Sequence, residues 1–236
     1  MKMKKGYLVI WLLACLLLVG ACKEKEDADS LIKPQQPATK EYRQNGLTLS
    51  FTNAGTINAA VKDKMIETFF AVYSQLTARF NPQAASLVYF RIDQGYTGVA
   101  YTTNNATIVF SADWMRNNPQ DVDVVTHELM HVVQAYDNGL SWLTEGIADY
   151  ARYKFGINNA AAGWALPNFS DNQIYTDSYR VTARFLVWLE NKENPDIVNE
   201  LDQSLRNKTY TNNTWVQLTG KTVDELWLMY AQNPEL

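Results

Sequence analysis

The two histidines of this 236-residue chain, His127 and His131, lie four residues apart, and Glu128 follows the first of them. On an α-helix, residues four apart lie within about 40° of each other around the axis, so these side chains would project toward one small volume. Apolar residues recur around them at steps of three and four, as on a helix with one buried face. They are Val122, Val125, Leu129, Val132, Val133 and Tyr136. We therefore predict a helix over about residues 118–136 that begins at Asn118-Pro119.

The same spacing suits a zinc ion. Two neutral imidazoles one helical turn apart can both bind a single ion at about 2.0–2.1 Å. A neighbouring carboxylate then remains free to accept a proton from a bound water. We therefore expect His127 and His131 to be metal ligands and Glu128 to act as a catalytic general base.

A catalytic zinc site needs a third protein ligand, and the sequence offers two candidates. Asp137 lies six residues after His131, the position of the third ligand in metzincin-type peptidases, but those need a glycine in the intervening turn and this chain has Gln134. The favoured alternative is Glu145, which falls in a second predicted helix over about residues 141–156.

Two further residues of this second helix are informative. Asp149 lies one turn after Glu145, where it can accept the free ring N–H of a zinc-bound histidine and orient that ring. Gly146 costs about 1 kcal/mol relative to alanine in a helix interior, so we expect it to allow close packing of another helix.

The order of predicted elements indicates an α+β fold. Strands are expected over residues 47–51, 86–92, 98–101 and 106–111, and a helix over residues 58–80. These strands would form a small mixed or antiparallel sheet. The chain after about residue 118 is predicted to be mostly helical.

The N-terminus has the pattern of a bacterial lipoprotein signal. Three lysines precede an apolar run over residues 8–19. This run is shorter than the about 20 residues that a transmembrane helix needs, and its length is typical of a signal peptide. The run ends on Val19-Gly20-Ala21-Cys22, which resembles a lipobox, the motif whose cleavage leaves an acylated cysteine. We therefore expect residues 1–21 to be removed and Cys22 to carry a lipid at the bacterial outer membrane.

Residues 22–40 are predicted to form a flexible tether, because their charged and polar composition leaves little to bury. The acidic start of this segment resembles a surface-export signal of lipoproteins. The alternative is an ordinary solvent-exposed linker without an export function. The folded domain is then expected over residues 41–236.

Composition excludes several classes of partner. The second cysteine, Cys15, lies in the segment expected to be removed, so no disulfide is predicted. Loss of the three signal-peptide lysines lowers the formal net charge from −4 to −7, which argues against binding to nucleic acid or an anionic membrane surface. We expect a protein or peptide substrate, neutral or basic, a monomeric chain, and membrane contact only through Cys22.

Four blocks of the sequence resemble the basic secretory proteins, a family of plant and bacterial peptidases within the zincin group. The blocks are THELMHVVQ (126–134), EGIADY with the following Arg152 (145–152), SYRVTARFL (178–186) and LTGKTVDELW (218–227). The resemblance implies a zincin-like fold with a twisted sheet, an active-site helix, and a helical second half that supplies the third zinc ligand. This domain departs from the family in being acidic rather than basic.

Two site assignments follow from the resemblance. Tyr179 opens the third block and is the candidate catalytic donor to a developing oxyanion, with a buried core tyrosine as the alternative. In zincins the strand before the active-site helix binds extended peptide by edge pairing. That would assign peptide binding to residues 107–111, with Trp114 at the rim.

The implied function is zinc-dependent hydrolysis of peptide bonds in extracytoplasmic proteins or peptides. The alternative is a surface lipoprotein of the same fold that binds glycan or protein without turnover. Glu128 separates the two hypotheses, since binding alone needs no general base. The seven tryptophans offer the alternative little support, because Trp188, Trp215 and Trp227 fall in apolar stripes and are predicted to lie in the core.

Overall fold

The computed structural model describes residues 38–53, 57–103 and 105–236 of the chain. The predicted signal peptide, Cys22 and most of the predicted tether lie outside the described residues. Within the described ranges, no helix combines the length and the apolar character needed to cross a membrane.

The described residues build a small mixed sheet, as predicted, but it has five strands where four were expected. Its strands are β1 (Ala38–Gln44), β2 (Leu47–Asn53), β3 (Leu87–Asp93), β4 (Ala100–Thr103) and β5 (Thr107–Ser111), in the spatial order β1-β2-β3-β5-β4. The outer pairs, β1 with β2 and β4 with β5, are antiparallel, whereas β2, β3 and β5 run parallel. β5 therefore lies inside the sheet, and β4 forms one of its edges.

β1 corrects the predicted boundary between tether and domain. Residues 38–40 belong to this strand, so ordered structure begins before residue 41. The strand is polar and almost fully exposed, and it therefore lacks the apolar alternation by which strands are recognised. The signal that would have revealed it is Asn45-Gly46, the pair favoured in two-residue hairpin turns because both positions need positive φ. Here the φ angles are 50° and 81°.

One face of the sheet is apolar and packs against helices. Phe90 of β3 and Phe110 of β5 are fully buried on this face. The first helix, α1 (Ala59–Arg79), is capped by Asn58, where the predicted helix starts. It packs Phe69 edge-on against Phe90, with the ring centroids 5.8 Å apart. The helix that carries both histidines, α3 (Val124–Gln134), contacts α1 and β4. α3 is thereby held between the core and one edge of the sheet.

α3 begins later than predicted. The predicted start, Asn118-Pro119, instead closes a short preceding helix, α2 (Ala112–Asn117), because the backbone N–H of Asn118 donates to the Trp114 carbonyl at 2.8 Å. Asp123, which falls inside the predicted helix, is the cap residue of α3. Its carboxylate accepts the backbone N–H of Ile157 at 3.0 Å, a tertiary contact that no local pattern signals.

The C-terminal half is helical, as predicted. It consists of α4 (Ser141–Phe155), α5 (Tyr179–Lys192), α6 (Ile197–Arg206), α7 (Asn213–Thr219) and α8 (Val223–Gln232), with a 3-10 turn at Tyr175–Asp177 before α5. Trp188 and Trp215 are buried in the core, and Trp227 packs half-buried against it. The predicted core position is confirmed for Trp188 and Trp215, whereas Trp227 lies at the margin of the core.

Candidate metal centre

α3 and α4 bring His127, His131 and Glu145 together. The Nε2 atoms of the two imidazoles are 3.1 Å apart. Oε2 of Glu145 lies 3.2 Å from Nε2 of His127 and 3.5 Å from Nε2 of His131. Within the described residues, these three side chains form a set in which each offers one donor atom within 4.8 Å of the others. Such a set can hold one metal ion.

Each imidazole is also held at its other ring nitrogen. Nδ1 of His127 lies 2.7 Å from Oδ1 of Asp149, and Nδ1 of His131 lies 2.7 Å from Oε1 of Gln134. The side-chain amide of Gln134 donates in turn to the backbone carbonyl of Thr144 at 2.9 Å. Because Thr144 immediately precedes Glu145, Gln134 links one imidazole to the backbone that carries the carboxylate. Gln134 was not a sequence candidate for this role.

The surroundings of the cluster favour positive charge at its centre. Burial disfavours the imidazolium form of His127, but hydrogen bonds to Asp149 and Glu145 outweigh burial and raise the pKa of His127 to about 10. Burial opposes ionisation of Glu145, yet hydrogen bonds from the two histidines hold the pKa of Glu145 well below its usual range. A proton or another cation at this point therefore stabilises the cluster.

Glu128 is buried beside the cluster and is held by β4. The Thr102 hydroxyl lies 2.7 Å from Oε2 of Glu128 and 3.0 Å from the Glu128 backbone carbonyl oxygen. Glu128 lines the same cleft as the two histidines. The sequence did not indicate a role for Thr102. Thr102 and Glu128 are 26 residues apart and lie on different elements, so no local pattern reveals their contact.

Tyr179 reaches the cluster from the first turn of α5. Its ring stacks on the ring of His127, with the centroids 6.2 Å apart and the planes at 17°. Tyr179 is 54% exposed, so it is not the buried core tyrosine that was the alternative. The φ angles of Ser178 (65°) and Tyr179 (48°) both lie in the left-handed region that residues other than glycine rarely adopt. A strained backbone thus directs this phenol toward the histidines.

The phenol of Tyr179 is kept protonated by its surroundings. The negative charge of Glu145 and partial burial both raise the pKa of Tyr179 above its ordinary value. A phenol that stays protonated near neutral pH can donate a hydrogen bond into the cleft.

Asp137, the competing candidate for the third ligand, lies outside the cluster. α3 ends at Gln134, and Ala135 then adopts a left-handed conformation (φ 45°) that turns the chain away. The carboxylate of Asp137 is 69% exposed and pairs with Lys208. The structure thus brings Glu145, and not Asp137, to the histidines.

The cluster lies in a cleft of about 1650 Å³ that is bordered by β4. The prediction that residues 107–111 bind peptide by edge pairing is wrong, because β5 is already paired with β3 on one side and β4 on the other. The free edge belongs to β4. The carbonyl of Val99 accepts the N–H of Ser111, so Val99 bonds to the neighbouring strand. In an antiparallel pair only alternate residues bond to the partner strand, and the backbone groups of Ala100 and Thr102 therefore point away from β5. Trp114 lines the cleft as expected and donates to Asp121 at 2.9 Å.

Gly146 lets α5 approach α4 closely, as predicted. A Cβ atom added at Gly146 would lie 2.6 Å from Cβ of Thr182, a separation that real Cβ atoms do not adopt. Because Gly146 follows Glu145 and Thr182 lies one turn after Tyr179, this contact sets the spacing between the two sides of the cluster.

The domain shares its fold with solved metallopeptidases. A two-domain M1 zinc metallopeptidase bound to L-tryptophan matches with a TM-score of 0.50 and 15% identity, over 85% of this chain and 52% of that one. An aminopeptidase N family protein from Idiomarina loihiensis matches with a TM-score of 0.51 and 12% identity, over 82% and 46%. The chain thus spans about half the length of these structures, and the likeness establishes a zincin-like fold.

The family itself is identified by sequence. A family model described as a peptidase of plants and bacteria matches residues 35–230. Since that match covers most of the chain, the protein belongs to this family of peptidases, as the resemblance predicted. No curated protein matches the chain by sequence.

We predict that Gly146→Ala destabilises the protein. Overpacking typically costs about 1–3 kcal/mol, and contacts of 2.2 and 2.6 Å with Thr182 place this substitution in the upper part of that range. That cost exceeds the roughly 1 kcal/mol that alanine gains in helix propensity. Urea unfolding measures the difference. Gly95→Ala is the matched control, since an added Cβ there meets only an ordinary 3.6 Å contact with Asp93. Equal free energies of unfolding for the Gly146→Ala variant and the wild type would contradict the packing described here.

Proposed function

We propose that this protein is a zinc-dependent peptidase that hydrolyses peptide bonds of extracytoplasmic proteins or peptides. In this proposal His127, His131 and Glu145 bind the ion and Glu128 is the general base. The observation that carries the proposal is the convergence of two imidazole Nε2 atoms and one carboxylate on a single point in the cleft.

The donor chemistry of the cluster fits a divalent cation. A carboxylate can only accept, so Asp149 requires a proton on Nδ1 of His127. The Gln134 amide donates to the Thr144 carbonyl through its nitrogen, so its oxygen faces His131 and requires a proton on Nδ1 there as well. When neutral, both rings therefore keep their lone pairs on Nε2. Two such lone pairs beside the Glu145 carboxylate repel one another unless a cation lies between them, and this nitrogen and oxygen set suits zinc.

The proposed mechanism divides the work among the residues of the cleft. A bound zinc ion would supply a Lewis acid that activates water and polarises the scissile carbonyl. Glu128 accepts the proton of the attacking water and later passes it to the leaving amine. The contact of Thr102 with Oε2 holds the Glu128 carboxylate in the cleft for this role. The protonated phenol of Tyr179 donates to the developing oxyanion.

We further propose that the substrate backbone pairs with β4. The outward N–H of Ala100 and the outward N–H and carbonyl of Thr102 can pair with an extended chain, whereas the Ala100 carbonyl accepts the Tyr96 hydroxyl at 3.3 Å. Pairing at Thr102 would align the peptide beside Glu128, since the two residues are already in contact.

The competing function is a surface lipoprotein that binds glycan or protein without turnover. A buried carboxylate held against the cluster by Thr102 favours catalysis, because a binding surface gains nothing from desolvating an additional acid. Stoichiometric zinc without cleavage of any denatured protein would favour this competing function instead.

We predict that Glu128→Gln keeps the zinc and the fold but lowers kcat by at least about 100-fold, the lower range for loss of a general base. Glutamine preserves the shape and the hydrogen bond with Thr102 but cannot take a proton. The measurements are metal content by mass spectrometry and cleavage of a denatured protein. Glu67→Gln is the control, because Glu67 is an exposed residue of α1. Unchanged turnover of the Glu128→Gln variant would rule out the assigned base.

The ligand set predicts an order of zinc affinities. Glu145→Ala should lose most of the affinity because it removes a ligand, and Asp149→Ala should lose about 10-fold to 100-fold because it removes only the orientation of His127. Asp137→Ala should retain the wild-type affinity, since Asp137 pairs with Lys208 away from the cluster. Zinc dissociation constants from chelator competition measure all three. Loss of zinc from Asp137→Ala with retention in Glu145→Ala would refute the set.

We also propose that the protein is anchored to a bacterial membrane through a lipid on Cys22. This proposal is supported by the sequence alone, because Cys22 lies outside the described residues. We predict that Cys22→Ala moves the protein from the membrane fraction to the soluble fraction. Fractionation of cells followed by immunoblotting measures this shift. Continued membrane association of the variant would contradict the lipoprotein assignment.

A further inference from the structure

The charged side chains that line the cleft are paired with one exception. The acidic ones are Asp121, Glu128, Asp137, Glu145 and Asp149. Their partners are, in the same order, Arg152, Thr102, Lys208, the two histidines, and His127. The arginines that line the cleft are Arg152 and Arg180. Arg152 is paired with Asp121, whereas Arg180 forms no ion pair with any carboxylate of the described residues.

Arg180 lines the same cleft as the candidate metal centre. It follows Tyr179, whose ring stacks on His127 at 6.2 Å, and consecutive Cα atoms are about 3.8 Å apart. Arg180 is an exposed residue, and its guanidinium donates one N–H to the carbonyl of Ala165 at 3.3 Å. Since a guanidinium carries five N–H donors, this contact orients the group and leaves most of its donors for a ligand.

Local stability does not explain an arginine at this position. Arg180 lies in the first turn of α5, where the positive end of the helix dipole disfavours a cation. It has no acidic partner to offset that cost within the described ranges. Its planar fork does match a carboxylate, which it can bind through two parallel hydrogen bonds.

We propose that Arg180 binds a carboxylate of the substrate, so that the enzyme prefers peptides with an acidic group within a few residues of the scissile bond. This inference rests on the proposed peptidase function. The acidic group is either an Asp or Glu side chain or the free C-terminus of a short peptide. The net negative charge of the whole chain acts on the approach of substrate over a longer range and is screened beyond about 8–10 Å. Contact with Arg180 acts within the cleft.

The test is a matched set of fluorogenic peptides cleaved by the zinc-loaded protein. A neutral parent peptide is compared with peptides that carry one Glu, or one Lys, at each position flanking the scissile bond. Each peptide is made with a free and with an amidated C-terminus, which separates a side-chain carboxylate from a terminal one. We expect the wild type to favour Glu at one position, or the free C-terminus, by about tenfold in kcat/KM over the neutral peptide.

Variants assign this preference to Arg180. Arg180→Gln should lower the ratio of acidic-peptide to neutral-peptide kcat/KM by about tenfold, mainly through KM, and Arg180→Glu should shift the preference to the Lys peptide. Arg180→Lys should keep part of the ratio, because it keeps the charge but not the fork. Arg91→Gln, an exposed arginine that does not line the cleft, should keep the wild-type ratio. Thermal unfolding checks that each variant is folded.

The outcomes separate the two levels of the proposal. Cleavage by the wild type with no charge preference, or a preference that survives Arg180→Gln, overturns the role of Arg180 and leaves the peptidase function intact. A zinc-loaded wild type that cleaves none of the peptides and no denatured protein overturns both.

Discussion

Two polar bridges between α3 and α4 hold the candidate site in place. One joins His127 to Asp149, and the other runs from His131 through Gln134 to the backbone at Thr144. Each bridge fixes which ring nitrogen carries the proton and therefore where the free lone pair points. The three proposed ligands converge because these bridges are satisfied together. Either bridge alone would leave one ring free to rotate out of the cluster.

The helices that carry the site are tied to the core by further polar contacts. On α4, Tyr150 accepts a hydrogen bond from Arg79 of α1 at 2.8 Å, and Arg79 also pairs with Glu190 of α5 at 2.7 Å. This network joins three helices at a mostly buried position, where loss of one partner would leave an unpaired charge. Combined with the close contact at Gly146, it keeps α4 and α5 in one arrangement. A rigid support of this kind allows the backbone at Tyr179 to remain in its strained conformation.

Charge acts on two length scales in this protein. The sequence carries a net negative charge, which favours a neutral or basic partner when only composition is considered. Inside the cleft, however, the carboxylates are engaged by partners of the chain itself. Of the two arginines that line the cleft, Arg180 has no acidic partner among the described residues. Substrate preference is then a property of the local arrangement. Overall charge instead alters the rate at which substrate approaches, an effect that salt screens beyond about 8–10 Å.

The sequence by itself determined the features that depend on local geometry. Residues four apart on a helix must share a face, so their spacing alone places His127 and His131 beside Glu128. Apolar periodicity was sufficient to predict α1, the buried strands of the sheet, and the tryptophans that lie in the core. Gly146 could be interpreted as a packing position because glycine in a helix interior carries a known cost.

Only the tertiary structure decided the features that join distant segments. The missing glycine turn before Asp137 favoured Glu145 in the sequence, but the choice itself depends on how α3 ends and where α4 packs. The contact of Thr102 with Glu128 and the interior position of β5 both follow from the strand order of the sheet. Local patterns report the conformation of a segment. The partner of a side chain is set by the free energy of packing the whole chain, in which each buried polar group must find a partner wherever the fold provides one.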